Sequence, residues 1–261
     1  MQVVIRNDED AAAGLAAGLV ARALRAKPAM ALGLATGRTM EKVYAELARR
    51  HREQGLDFSL CRTFNLDEYV GLPAADPHSY RHFMNVHLFD RVNIDPRNTH
   101  LPDGMAADLR AEGARYEAQI RDSGGIDLQL LGIGEDGHIG FNEPLSALRS
   151  RTRDKALTPT TRRQNAAAFG GADRVPLRGI TMGVGTILDS RACLLLATGA
   201  DKAAVLARAV EGPITAMISA SALQLHPQCC VVADEAAARD LREQEYYRWI
   251  FANEPEWADF R

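Results

Sequence analysis

The chain has 261 residues, 46% of them hydrophobic and 25% charged, an ordinary globular balance with length enough for a large core. A formal net charge of −3 and the lack of any basic run give no sign of a nucleic-acid surface. No stretch of about 18 apolar residues occurs, which excludes a transmembrane helix, and residues 1–8 lack the apolar core of a secretory signal. The four cysteines (61, 193, 229 and 230) have no metal-type spacing, and neighbours Cys229 and Cys230 cannot bridge without distorting the backbone. They read as reduced packing residues of a cytoplasmic protein.

In chain order, residues 3–5 predict a strand and the alanine-rich 8–24 a helix. Residues 30–35 form a second apolar strand and 36–39 a tight polar loop. Met40, Val43, Tyr44 and Leu47 then recur at helical spacing over 40–50. Strand, glycine loop and helix direct backbone N–H groups and a helix dipole at an anion. The lysine and glycine spacing of a Walker loop are absent. Residues 61–70 run from a strand into acidic residues, with Asp67 where the strand should end; by itself it reads as a cap or turn residue. Helices are expected near 80–89 and 106–121.

The centre of the chain is 127–144, an apolar strand that breaks into glycines at 132, 134, 137 and 140. Asp136, His138 and Glu143 crowd that turn, with Glu135 beside them. Loops after the carboxyl ends of parallel strands hold the ligands of open α/β sheets, so two carboxylates and an imidazole there suit proton handling. An ordinary polar turn facing water is the competing account.

Beyond it, Arg149, Arg151, Arg153 and Lys155 make a basic segment, either a solvated face or a phosphate neighbour. Residues 160–175 show no clear period and read as a mobile segment, with a lid over 157–179. Residues 180–187 predict a short helix, 192–197 a strand, and 203–210 a helix. Lys202 at that helix start opposes the dipole, which makes it a phosphate-ligand candidate. Residues 229–233 and 235–251 predict a last strand and a closing helix. The alternation predicts one α/β domain, a mostly parallel sheet with helices on both faces.

The segments Asn65-Leu-Asp-Glu-Tyr-Val-Gly-Leu-Pro73 and Leu131-Gly-Ile-Gly-Glu-Asp-Gly-His-Ile-Gly-Phe-Asn-Glu-Pro144 resemble the signature stretches of glucosamine-6-phosphate deaminases. The likeness continues through Ser150-Arg-Thr-Arg153, Val184-Gly-Thr-Ile187 and Gln224-Leu-His-Pro227. It implies a Rossmann-like, doubly wound sheet and cofactor-free conversion of glucosamine 6-phosphate to fructose 6-phosphate and ammonia. It implies that Asp67 moves a proton between carbons while Asp136, His138 and Glu143 serve ring opening. Thr36, Gly37, Arg38, Thr39 and Lys202 would hold the phosphate. Some members are hexamers activated by N-acetylglucosamine 6-phosphate; Ser146, Arg153 and Lys155 match their effector pattern, though Ala147 replaces a serine. The implied partner is thus a small amino sugar phosphate, with a homo-oligomer left open and no membrane or nucleic acid involved.

The chemistry accounts for these residue types. The ring oxygen must gain a proton as the anomeric hydroxyl loses one, and an imidazole titrating near neutrality can serve both. The freed aldehyde acidifies the C2 hydrogen, which one carboxylate can return to C1. No step needs a metal or nucleotide. The phosphate loop departs from the family pattern, carrying Arg38 and Met40 where a glycine and a proline are usual. Ala167 occupies the place of the family's lid arginine. Arg38 is therefore expected to take over the phosphate contact. The rivals are a deaminase for galactosamine 6-phosphate, a 6-phosphogluconolactonase-type hydrolase, and a sugar-phosphate sensor without turnover.

Overall fold

The structure, a computed structural model, describes residues 1–261. It folds into ten strands and nine α-helices, alternating over most of its length. The strands are β1 (Gln2–Arg6), β2 (Ala31–Leu34), β3 (Arg62–Asn65), β4 (Asp67–Tyr69), β5 (Thr99–His100), β6 (Leu128–Leu131), β7 (Arg153–Ala156), β8 (Arg178–Thr181), β9 (Cys193–Ala197) and β10 (Cys229–Asp234). The helices are α1 (Glu9–Ala26), α2 (Arg38–Gln54), α3 (Tyr80–His87), α4 (Leu109–Asp122), α5 (Pro159–Phe169), α6 (Val184–Leu188), α7 (Ala203–Val210), α8 (Glu235–Ala238) and α9 (Gln244–Asn253).

Seven strands form one parallel sheet in the order β1-β10-β9-β6-β2-β3-β5. Every residue of β2, β6 and β9 is buried. Successive side chains point to opposite faces, so the sheet is covered on both, as the α/β pattern predicts. A core of 58 buried residues runs from Val3 to Trp257. From β2 the chain builds outward to β3 and β5, and from β6 in the other direction to β9 and β10. The β2–β6 junction is therefore the topological switch point, where an open α/β sheet leaves a crevice at its carboxyl edge. No helix is long and apolar enough to cross a membrane. The cysteines are free, and Cys61, Cys193 and Cys229 are buried.

The structure corrects the sequence-based expectation in four places. Residues 61–70 are not one strand: β3 ends at Asn65, and Asp67–Tyr69 join a separate antiparallel sheet in the order β4-β8-β7. Arg178–Thr181, expected to lie partly in a helix, is the middle strand of that sheet, and only Val184–Leu188 is helical. Its partners lie far away along the chain, so no local period announces it. Residues 160–175 are not irregular: α5 begins at the cap Thr158 and ends at Gly170 in the left-handed region. The closing helix is broken between Ala238 and Gln244.

The small sheet positions the site. Thr181 on β8 stands opposite Asp67 on one side and Arg153 on the other, so the three side chains share a face. Residues 140–142 rest on that row. The Phe141 N–H donates to Thr181 Oγ1 (3.0 Å), and Arg153 Nη1 donates to Asn142 Oδ1 (2.8 Å). Beneath α5, Tyr69, Phe141, Leu157, Phe169 and Val175 form a second apolar cluster.

Candidate active site

A pocket opens at the switch point. It is lined by Ala35–Met40 after β2, Leu66 and Asp67 after β3, and Gly132, Ile133, Gly134, His138, Gly140 and Phe141 after β6. Leu196 and Ala197 at the end of β9 line it with Thr198 and Lys202 beyond, while Tyr80 of α3 and Gln164 and Asn165 of α5 close its side. Asp67 and His138, far apart in sequence, thus face one cavity.

The loop after β6 holds its shape by internal bonds: Gly134 N–H donates to the His138 carbonyl (2.9 Å) and Gly137 N–H to that of Gly134 (3.0 Å). The imidazole lies over Gly134, where any Cβ would stand 2.2 Å from its Cε1. Gly140, at φ +57, brings the loop against β4: a Cβ there would lie 2.8 Å from Thr181 Oγ1 and 3.6 Å from Asp67 Oδ2.

His138 Nδ1 is hydrogen-bonded to Asp136 Oδ1 at 2.7 Å and lies 3.7 Å from Glu143 Oε2. Nε2 bonds to no group of the chain, which leaves it as the nitrogen free to exchange protons. Burial alone would raise the Asp136 carboxyl, but the hydrogen bond and charge of His138 outweigh it and hold the group below the usual carboxylate range. The buried Glu143 accepts the Thr158 N–H at Oε1 (2.9 Å) and the Thr158 hydroxyl at Oε2 (3.2 Å).

No metal-ligand cluster is apparent in the sequence, yet the donor atoms of Asp136, His138 and Glu143 all come within 4.8 Å of one another. Two ligands of a tetrahedral ion with bonds near 2.1 Å stand roughly 3.4 Å apart. The 2.7 Å contact between His138 and Asp136 is the length of a charge-assisted hydrogen bond instead.

Asp67 is 5% exposed and accepts no hydrogen bond. Burial, with the neighbouring charge of Glu68, pushes its carboxyl well above the usual range. Burial also raises Glu68, but it accepts the N–H groups of Tyr69, Tyr80 and Arg81 at 2.8–2.9 Å, which oppose the shift.

At the other end of the pocket, Thr36, Gly37, Arg38 and Thr39 enter α2; the Met40 N–H of its first turn donates to the Gly37 carbonyl (2.9 Å), while the Arg38 and Thr39 N–H groups have no acceptor in the chain. The Arg38 side chain is exposed at the mouth, without an ion pair or hydrogen bond within the chain. Lys202 is 9% exposed and caps α7, with Nζ 3.5 Å from Asp201 Oδ2. Ala167 is exposed on α5 and absent from the lining. The remaining sequence candidates also stand outside the pocket. Ser146 is buried with an unpartnered hydroxyl, Arg153 bonds to Asn142, and Lys155 is half-buried on β7. Glu135 is exposed and only its N–H is engaged, by Gln164 (3.2 Å).

Sequence reasoning missed Tyr80, Gln164, Asn165, Thr198 and Thr158. Only Thr158 carried a signal: a threonine before a proline is the start of a helix.

Residues 7–232 match the family described as glucosamine-6-phosphate isomerases/6-phosphogluconolactonases. The chain belongs to this family. Among relatives, a glucosamine-6-phosphate deaminase of Arthrobacter sp. (strain FB24) is 52% identical, covering 98% of this chain and 99% of its own. One of Rhodococcus opacus (strain B4) is 49% identical over the whole of both. Among solved structures, a monomeric glucosamine-6-phosphate deaminase superposes with TM-score 0.90 at 42% identity, over 92% of this chain and 100% of that one. The 6-phosphogluconolactonase of Trypanosoma brucei shares the fold at TM-score 0.74, with 20% identity over 92% of this chain and 98% of that one. The family's Rossmann-like architecture is the fold seen here.

Proposed function

We propose that this member of the family converts glucosamine 6-phosphate to fructose 6-phosphate and ammonia. The observation that carries it is the shared cavity of Asp67 and His138, with the start of α2 and Lys202 lining the same cavity, where backbone N–H groups and an ammonium suit an anion. Near-complete coverage of relatives bearing the deaminase name supports the same reading.

In this reading Thr36–Thr39, the α2 N-terminus and Lys202 hold the phosphate, and Arg38 adds a bidentate contact from the mouth. His138 Nε2 protonates the ring oxygen and collects the anomeric proton, while Asp136 and Glu143 stabilise the imidazolium between those steps. Asp67, desolvated and without donors, takes the C2 hydrogen of the open aldehyde and returns it to C1. The resulting C2 imine or carbinolamine loses ammonia as water adds. The α5 segment acts as the lid, offering Gln164 and Asn165 to the sugar.

Ammonia release from glucosamine 6-phosphate by the purified chain tests the proposal. Parallel assays with galactosamine 6-phosphate and 6-phosphogluconolactone decide C4 preference and the hydrolase alternative. Tight binding of all three without turnover would leave a sensor and defeat the reading.

A further inference from the structure

We propose that Thr158 is a positioning residue for ring opening: one side chain both starts α5 and fixes the Glu143 carboxylate beside His138, so that seating of this helix and alignment of the acid are one event. The inference rests on the roles assigned above to Glu143 and His138.

Glu143 is 1% exposed, and a buried carboxylate must find donors. Both of its oxygens are satisfied by a single residue, the Thr158 N–H at Oε1 and the Thr158 hydroxyl at Oε2. The oxygen that takes the hydroxyl is the one 3.7 Å from His138 Nδ1. Rotating the carboxylate would therefore break the threonine bond and the approach to the imidazole together. A hydroxyl has one proton and two lone pairs. Here the proton has two acceptors in reach, Glu143 Oε2 (3.2 Å) and Thr161 Oγ1 (3.1 Å), of which the carboxylate is the stronger, and a lone pair accepts the Thr161 N–H (3.2 Å).

Thr158 is thus the cap of the helix that carries Gln164 and Asn165 into the pocket. The rest of α5 is seated by Gln164 accepting the Glu135 N–H, by Arg162 donating to the Val175 and Ala172 carbonyls, and by Phe169 packed against Tyr69 and His78. A ligand that draws on Gln164 or Asn165 pulls on a rigid turn whose first residue grips Glu143. Cap, lid and acid are linked through one oxygen.

The test uses the full chain with glucosamine 6-phosphate and its C2-deuterated form. Thr158→Val keeps the shape and the N–H but neither donates nor caps. Its kcat is expected to fall about tenfold, the loss of one hydrogen bond to a charged group, with KM within about twofold. The C2 isotope effect should shrink toward one as ring opening becomes the slow step. Thr158→Ser should restore kcat to within about twofold and the isotope effect with it. A raised KM at constant kcat, with the isotope effect unchanged, would mean that Thr158 only caps the helix and would overturn the proposal.

A second measurement needs no turnover. In Glu143→Leu, amides of α5 should exchange with solvent roughly tenfold faster, about 1.4 kcal/mol, while those of α4 keep their rates. Unchanged α5 exchange would break the link even if another sugar phosphate proved to be the substrate. Absence of ammonia release by the wild type alone would count against the functional reading, and the exchange result would then decide the role of Thr158.

Discussion

Asp67 and Glu68 are adjacent, both buried, and opposite in their surroundings: Glu68 accepts three backbone N–H groups and Asp67 none. A strand sends neighbours to opposite faces, so β4 turns Asp67 to the pocket and Glu68 to the start of α3. The first is left without donors, as the base proposed above must be, and the second is a fastener.

Removing the proposed base should therefore cost activity and gain stability. Asp67→Asn is expected to lower kcat by about a thousandfold, within the range of a lost acid–base group. A carboxyl raised in the folded state is protonated more readily there than in the unfolded chain, so it opposes folding once pH exceeds the unfolded value near 4. Thermal unfolding of variant and wild type should coincide near pH 4 or below, and the variant should gain as pH rises. A lower Tm for the variant at pH 7 would contradict the assignment.

Asp136 has the opposite sign. Its depressed carboxyl stabilises the fold above the unfolded value near 4, and that contribution fades as pH falls through the folded value. Asp136→Asn should be less stable than wild type at pH 7 and draw level in acid. Its kcat should drop by about a hundredfold or more, because an amide cannot hold a charged imidazole as well. Calorimetry across pH and steady-state kinetics check both halves.

Gly134→Ala isolates the geometry of the imidazole. A methyl 2.2 Å from His138 Cε1 must displace the ring, and displacement of a reacting group by about 1 Å can cost roughly a hundredfold in rate. Turnover should collapse while phosphate affinity, read from inhibition by inorganic phosphate, stays near the wild-type value. An active variant would show that the ring need not lie over this glycine.

Arg38→Ala tests the proposed phosphate contact of the Thr36–Thr39 loop. KM should rise roughly tenfold or more, about 1.4 kcal/mol per factor of ten, with kcat less affected. The wild-type KM should also climb more steeply with salt than that of the variant. An unchanged KM would place Arg38 in solvent.

Much of this protein was readable from its residues. Alternating apolar runs and glycine breaks predict the parallel sheet, and the 131–144 stretch carries its acid–imidazole–acid set within one loop, because those groups are neighbours in sequence. Lys202 could be singled out because a cation at a helix start has an electrostatic cost that asks for an explanation. Residue spacing could not show that Asp67 and His138 share a cavity, and only the resemblance implied joint action. The decisive contacts are non-local: β4 pairs with β8 more than 100 residues away, turning the chain after Leu66 so that Asp67 leaves the main sheet and meets the loop at Gly140. Likewise, the 160–175 stretch lacks a period because α5 buries little beyond Thr161 and Phe169, and what seats it is the aromatic cluster and Glu143. Local propensity wrote the elements, and burial against distant partners assembled the site.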